Sequence, residues 1–248
     1  MKKAGLHWSR ATLSSICCIF YLTIFAQEDK HLGSPLPTDP VFNGGNGVTV
    51  DYLSATNMGN ETTNMKGNPC FIAEWVSGVV VFKGNKLLNS KDLQFNWVKN
   101  ELHTRYNGKA YNFSDSVIEF MLLDTTVAEK TKEVVFRNGY PDIGAHKRTS
   151  FYEVVAGGAN FELLRYWSKH EHEYFEDVGT YAKEFYKVAD WYIYDIKNNT
   201  LQYINLKPSS IERALPSHVA TIREASNKIE GKKFSETELI SLINSLNL

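Results

Sequence analysis

The segment Phe185–Leu206, FYKVADWYIYDIKNNTLQYINL, decides the fold. Asn tolerates the positive φ of a type I′ turn, so Asn198-Asn199 reads as a two-residue hairpin loop. That loop sets Ile196 opposite Leu201, Tyr194 opposite Tyr203, Ile193 opposite Ile204 and Trp191 opposite Leu206. Apolar residues then meet on both faces, and such cross-strand pairs are what stabilise a sheet. A strand pair that is oily on both sides belongs in an interior, covered above and below. Tyrosine carries a polar tip on an apolar ring, so the same strands also offer a ligand-stacking platform: Trp191, Tyr192, Tyr194 and Tyr203.

Working outward, the chain repeats this device. In Leu93–Tyr106, with Lys99-Asn100 as the turn, Trp97 faces Leu102, Phe95 faces Thr104 and Leu93 faces Tyr106. The other side pairs Val98 with Glu101, Asn96 with His103 and Gln94 with Arg105, the pattern of a sheet with one wet face. Asn107-Gly108 turns into a strand at Lys109–Phe113; Val117–Leu123 and Glu133–Arg137 follow as strands. Phe151–Tyr166 reads as a hairpin across Gly157-Gly158, with Val154 opposite Phe161 and Tyr152 opposite Leu163. That register also sets Glu153 against Glu162, a like-charge pair that argues against it. Upstream, Val48–Thr56 alternates as a strand, Asn57–Pro69 is a polar loop, and Phe71–Phe82 is a strand that Gly78 bends or bulges. Lys169–Lys183 is a polar, charged connector.

After Leu206 the pattern turns helical. Pro208 starts a short helix that Pro216 stops. Ser217 caps a second, with Val219, Ile222, Ala225 and Ile229 on one stripe and Gly231 past its end. Ser235-x-x-Glu238 is a capping box, with Phe234 and Leu239 as its hydrophobic staple. Leu239, Leu242, Ile243 and Leu246 form a narrow apolar stripe fit to dock on a sheet.

The first 26 residues stand apart. Lys2, Lys3 and Arg10 precede the uncharged apolar run Ala11–Ala26, the pattern of a secretory signal with cleavage after Ala26. Cleavage leaves 24 basic against 28 acidic residues, a formal charge of −4, and no basic stripe for nucleic acid. It also removes Cys17 and Cys18. Cys70 is then alone, and the fold must hold by packing without a disulfide. No membrane span is expected in the remaining chain. Residues 27–47, rich in Pro and Gly, form a linker. The organisation expected is a signal at 1–26, the linker, a β domain at 48–206 and a helical segment at 207–248.

Several of these motifs resemble an uncharacterised family of secreted bacterial cell-envelope proteins. The likeness rests on Leu93-Gln94-Phe95-Asn96 with Asn100-Glu101-Leu102, on Phe151-Tyr152-Glu153-Val154-Val155 with Gly157 and Leu163-Leu164, on Trp191–Tyr194, and on Glu238–Asn244. It implies export to the periplasm or outer surface and this architecture. It implies no activity.

Candidate chemistry is thin. His170-Glu171-His172-Glu173 is the one ligand-like cluster. On a strand His170 and His172 share a face and can seat a transition metal, but a closed site needs further ligands. Cys70 follows Asn68-Pro69 with no histidine motif near it and reads as a half-buried thiol. Asp51, Asp115 and Glu119 are conceivable glycosidase carboxylates whose separation the sequence does not set. The G-x-S-x-G elbow and the phosphate loop are both missing, so no cofactor is expected.

The reading is a mostly β (α+β) protein. A curved antiparallel meander or half-barrel of about ten strands carries two or three C-terminal helices on one face. Its expected role is non-enzymatic: an exported envelope protein that binds a partner or is structural. The alternative is a periplasmic carrier enclosing an apolar ligand such as a lipid or acyl chain, with a hydrolase last.

Overall fold

The computed structural model describes residues 53–55, 65–106, 108–113, 117–126, 131–177, 180–229 and 231–248. The signal, the linker, residues 57–64, Asp51 and Asp115 lie outside them. Alternating side chains and short turns produce twelve described strands: β1 (Leu53–Ala55), β2 (Met65–Lys66), β3 (Val76–Phe82), β4 (Lys86–Asn96), β5 (Glu101–Tyr106), β6 (Lys109–Phe113), β7 (Val117–Asp124), β8 (Lys132–Arg137), β9 (Tyr152–Ala156), β10 (Phe161–Asp177), β11 (Thr180–Asp195) and β12 (Thr200–Ile204). They form one sheet in the order β1-β6-β5-β4-β3-β7-β8-β9-β10-β11-β12, with β2 added beside β11. Every pair is antiparallel except β2 with β11. The sheet is not closed. It curls, so that Trp97 at the end of β4 lies 5.8 Å, ring to ring, from Phe185 on β11. Helices α1 (Pro208–Ala214), α2 (Val219–Ser226) and α3 (Glu236–Leu246) follow, with a 3₁₀ turn at Pro216–His218 before α2. Strands and helices belong to one compact unit.

The mostly β, antiparallel, helix-backed architecture is as the sequence suggests; several registers are not. The two main hairpins both slide by two residues. Phe95 pairs with Leu102 and Leu93 with Thr104; Tyr192 pairs with Tyr203 and Trp191 with Ile204. The cause is shared. Each loop has four residues, not two, and begins after an Asx whose side chain captures loop amides. Asn96 Oδ1 accepts from the Val98 and Lys99 N–H groups at 3.1 and 3.0 Å. Asp195 Oδ1 accepts from Asn198 N–H at 2.9 Å. Each loop ends on an Asn in the left-handed region, Asn100 at φ 56° and Asn199 at φ 50°. A slide of two preserves which residues share a face, but neither hairpin is covered as expected: the side of Gln94 and His103, expected wet, is buried at 6% and 2% exposure, and the second hairpin, expected covered on both sides, leaves Tyr186 and Tyr203 exposed.

The third hairpin is present, and the like-charge warning was sound. Glu153 faces Arg165, not Glu162. Residues 71–75 are irregular rather than strand, and β3 begins at Val76, with the expected bulge between Val76 and Gly78. The charged stretch 169–183 is no connector: except for residues 178 and 179, outside the description, it belongs to the long β10–β11 pair. Met65–Lys66 is strand where a loop was expected. Ser217 does not cap α2; His218 occupies that position with no side-chain bond, and α2 stops at Ser226. The capping box at Ser235 and Glu238 is formed.

Three apolar clusters use the two faces. On the inner face, Phe95, Phe120, Phe136 and Phe151 stack with centroids about 5 Å apart and fill the curl of β3–β8. Farther along that face, Leu163, Trp191, Ile193 and Ile204 meet Ile211, Ile222, Leu239 and Ile243 of the helices. On the outer face, Tyr140, Tyr152, Leu164, Tyr192 and Leu201 form the third.

The last helix is fastened at both ends. Arg165 Nη1 donates to Glu236 Oε2 at 2.7 Å. Asn247 Oδ1 accepts from Asn160 and Phe161 N–H at 2.9 and 2.8 Å, and its Nδ2 donates to Phe161 O at 3.0 Å. A Cβ on Gly158 would fall 2.1 Å from Asn247 Cγ, so this clamp requires glycine there. Asn247→Ala should cost about 1–3 kcal/mol by orphaning partly buried strand groups. Asn247→Asp, which keeps the acceptor, should lose less; thermal unfolding of the two variants checks the order.

Candidate functional site

The densest set of functional side chains lies on the outer face of β8–β12, under the strap formed by residues 138–150. Strand alternation puts Glu162, Leu164, Tyr166, His170 and His172 of β10 on this face. Register adds Tyr194, Tyr192, Asp190 and Tyr186 of β11, and then Leu201 and Tyr203 of β12. Of the platform residues, Tyr192, Tyr194 and Tyr203 are here, with Tyr192 and Tyr203 rings 5.6 Å apart. Trp191 is not. It points the opposite way, buried among the helices with the Arg165 guanidinium 5.0 Å above its ring. Successive strand residues must face opposite sides, so no single platform can hold all four. Tyr203 and Gln202 are exposed, so β12 is not covered on both sides.

The strap folds against this face through its own bonds. Gly139 N–H donates to Arg148 O at 2.7 Å, and Ile143 and His146 exchange backbone bonds at 3.2 and 2.9 Å. These deliver Tyr140 and His146 onto the tyrosines. The His146 ring stacks on Tyr166 at 3.9 Å, and its Nδ1 lies 2.8 Å from the Tyr152 hydroxyl. Tyr140 donates to Glu162 Oε2 at 2.8 Å. Arg137 completes the group, bonding Glu162 Oε1 and Glu119 Oε2, each at 2.5 Å. Burial is the main reason that the Tyr140, Tyr152 and Tyr166 phenols are pushed up. Tyr192 is pushed up to about 12 by burial and then by the Asp190 carboxylate. These hydroxyls are therefore protonated hydrogen-bond donors at neutral pH.

A second charged group sits on the inner face. Arg165 grips Glu153 with two bonds of 2.9 and 2.6 Å, and Trp167 Nε1 donates to the same carboxylate at 2.8 Å. Both charged residues are buried, and the arginine stacks between Trp167 and Trp191.

The remaining sequence candidates are dispersed. His170 and His172 stand exposed on the outer face; across the pair they face Tyr186 and Glu184. Among the described residues no three His, Cys, Asp or Glu side chains gather as a metal site would require. Cys70 is half-buried, and burial pushes its thiol up, away from the thiolate a nucleophile needs. Glu119 is committed to Arg137. The sequence did not reveal His146, Tyr140 or the Arg137–Glu162 pair, since long-range packing of an irregular segment leaves no periodic trace.

Two histidines make the protein acid-sensitive. His103 is 2% exposed, and burial lowers its pKa against the weaker pull of Glu101, whose carboxylate is 3.9 Å away. Burial likewise lowers His146, partly offset by Asp190. In both cases the unfolded chain binds the proton more tightly. Stability is therefore full above the unfolded value of about 6.5 and falls as pH drops through it toward the folded value. Chemical denaturation at about pH 7.5 and about pH 5 should show the loss, and His103→Leu should reduce the difference between the two.

No helix among the described residues is long and apolar enough to cross a membrane. Comparison with family models, with curated proteins and with solved structures gives no match for this chain.

Proposed function

We propose that this chain is an exported, non-enzymatic protein of the cell envelope that works by binding a partner protein through the aromatic stripe on the outer face of β10–β12. One observation carries the reading: Tyr203 is 55% and Tyr186 51% exposed on the same face, beyond the tyrosines that the strap covers. Tyrosine and other aromatics are enriched where proteins bind each other, because a large rigid ring is desolvated at little entropic cost. His170 and the half-exposed Tyr194 extend the same stripe. Support for export comes from the basic start, the uncharged run to Ala26 and the resemblance to secreted envelope proteins.

The test is a photo-crosslinking residue placed at Tyr203, at Tyr186 and, as a control, at Leu87, which is exposed but lies on β4. In intact cells the first two positions should give one discrete adduct in the envelope fraction and Leu87 none. No adduct at either tyrosine, or a protein retained inside the cell, would refute the proposal.

A further inference from the structure

The sheet ends on β12, which among the described residues pairs with β11 alone. Alternation shows which of its backbone groups face outward. Ile196 N–H bonds Asn160 O on the β10 side at 2.9 Å. Along β11 the even-numbered residues therefore bond β10, and the odd-numbered ones bond β12. Thr200, Gln202 and Ile204 stand opposite Asp195, Ile193 and Trp191 and take those bonds. The N–H and C=O groups of Leu201 and Tyr203 point away from the sheet. Proteins guard such edges with charge, proline, a bulge or a very short strand. At the opposite end of the described sheet, β1 is 3 residues long. β12 has no guard: TLQYI holds no charged residue and no proline, and its register runs without a bulge. The helices leave its first half clear. Ile204 is fully buried beneath them, while Thr200 and Gln202 on the same side are exposed.

We propose that β12 pairs antiparallel with β12 of a second copy, about a two-fold axis at Gln202. The strand is self-complementary in this register. Leu201 of each copy meets Tyr203 of the other, and their outward N–H and C=O groups are all bonded. On the other side the Gln202 amides face each other, and Thr200 meets Ile204. Shifting the axis by one residue either way brings in groups already used. Asn199 turns away at φ 50°, and Asn205 N–H donates to Ser210 Oγ at 3.1 Å. The nearest charges, Lys197 and Lys207, are exposed and stand outside the strand. A strand of 5 residues is a small contact, below the ~1,000 Å² of a lasting complex, so the dimer is transient and concentration-dependent. The proposal does not rest on partner binding, because it uses the backbone at the sheet edge and not the outer face.

The experiment is disulfide trapping in the full chain with Cys17, Cys18 and Cys70 replaced by Ser. Gln202 lies on the axis as a non-hydrogen-bonded pair, with Cα atoms about 4.5 Å apart, within disulfide reach. Under mild oxidation Gln202→Cys should give a covalent dimer. Thr200→Cys, exposed on the same side, should give at least about tenfold less, because it meets Ile204 and not its own copy. Adding Tyr203→Pro to Gln202→Cys removes one outward N–H and spares the β11 ladder, and it should cut dimer yield about tenfold. No dimer from Gln202→Cys, equal yields from Gln202→Cys and Thr200→Cys, or an undiminished yield in a Tyr203→Pro variant that melts like its parent would each overturn the proposal.

Discussion

Arg165→Ala should destabilise the protein by about 3–5 kcal/mol, the usual result of stranding one member of a buried ion pair. The substitution removes both guanidinium bonds to Glu153 and the strut to Glu236. Glu153, 3% exposed, would keep only the Trp167 N–H as a bonded donor. It also unstacks two tryptophans, Trp167 and Trp191. At this chain length the melting temperature should fall by about 10 °C. The cause can be separated from mere loss of bulk. Arg165→Met with Glu153→Leu removes both charges together, and it should be less damaging than Arg165→Ala alone, because no carboxylate is then left buried without its partner.

Gly78→Ala should be comparably severe for a steric reason. Gly78 sits in β3 between β4 and β7, paired with Ser90 on one side and Leu122 on the other. A Cβ there would lie 2.0 Å from the Met121 carbonyl oxygen and 2.9 Å from Leu93 Cδ1. The first obstacle is backbone, which can yield only if the β3–β7 ladder shifts. Overpacking of this kind costs about 1–3 kcal/mol where side chains can adjust, and more where the ladder itself must move. Gly84→Ala is the control. Gly84 has nothing within 4 Å of the added carbon, and its φ of 86° is the only obstacle. That change should cost about 1–2 kcal/mol. Denaturant midpoints of the two variants should therefore separate clearly, with Gly78→Ala far lower.

Sequence periodicity revealed the elements and their faces more reliably than their registers. A strand's alternation fixes which residues share a side, and a slide of two keeps that intact, which is why Phe95, Leu93, Trp191 and Ile193 are buried as expected. The register itself is set by loop chemistry. Asn96 and Asp195, the Asx residues that open each four-residue loop, read in the sequence as ordinary strand positions. The Glu153–Glu162 conflict was a usable signal, and Arg165 takes the place opposite Glu153. Farther out the sequence falls silent. Nothing in residues 138–150 announces that Tyr140 and His146 pack on the tyrosines of β9–β11, because strap and sheet are related only through tertiary contact. Nor does spacing reveal the tie between Asn100 and Phe151, which are far apart in the chain.

The single open sheet becomes a stable scaffold only when the tail helices cover β9–β12, presenting the aromatic stripe on the reverse side. Apolar side chains of the tail, Ile211, Leu215, Ile222, Phe234, Leu239, Leu242, Ile243 and Leu246 among them, supply much of that inner cluster. Thermal unfolding of the chain ended after Lys207 tests this most directly. It should show no cooperative transition and should bind a hydrophobic dye at room temperature. A truncated chain that melts as sharply and as high as the full one would contradict the account.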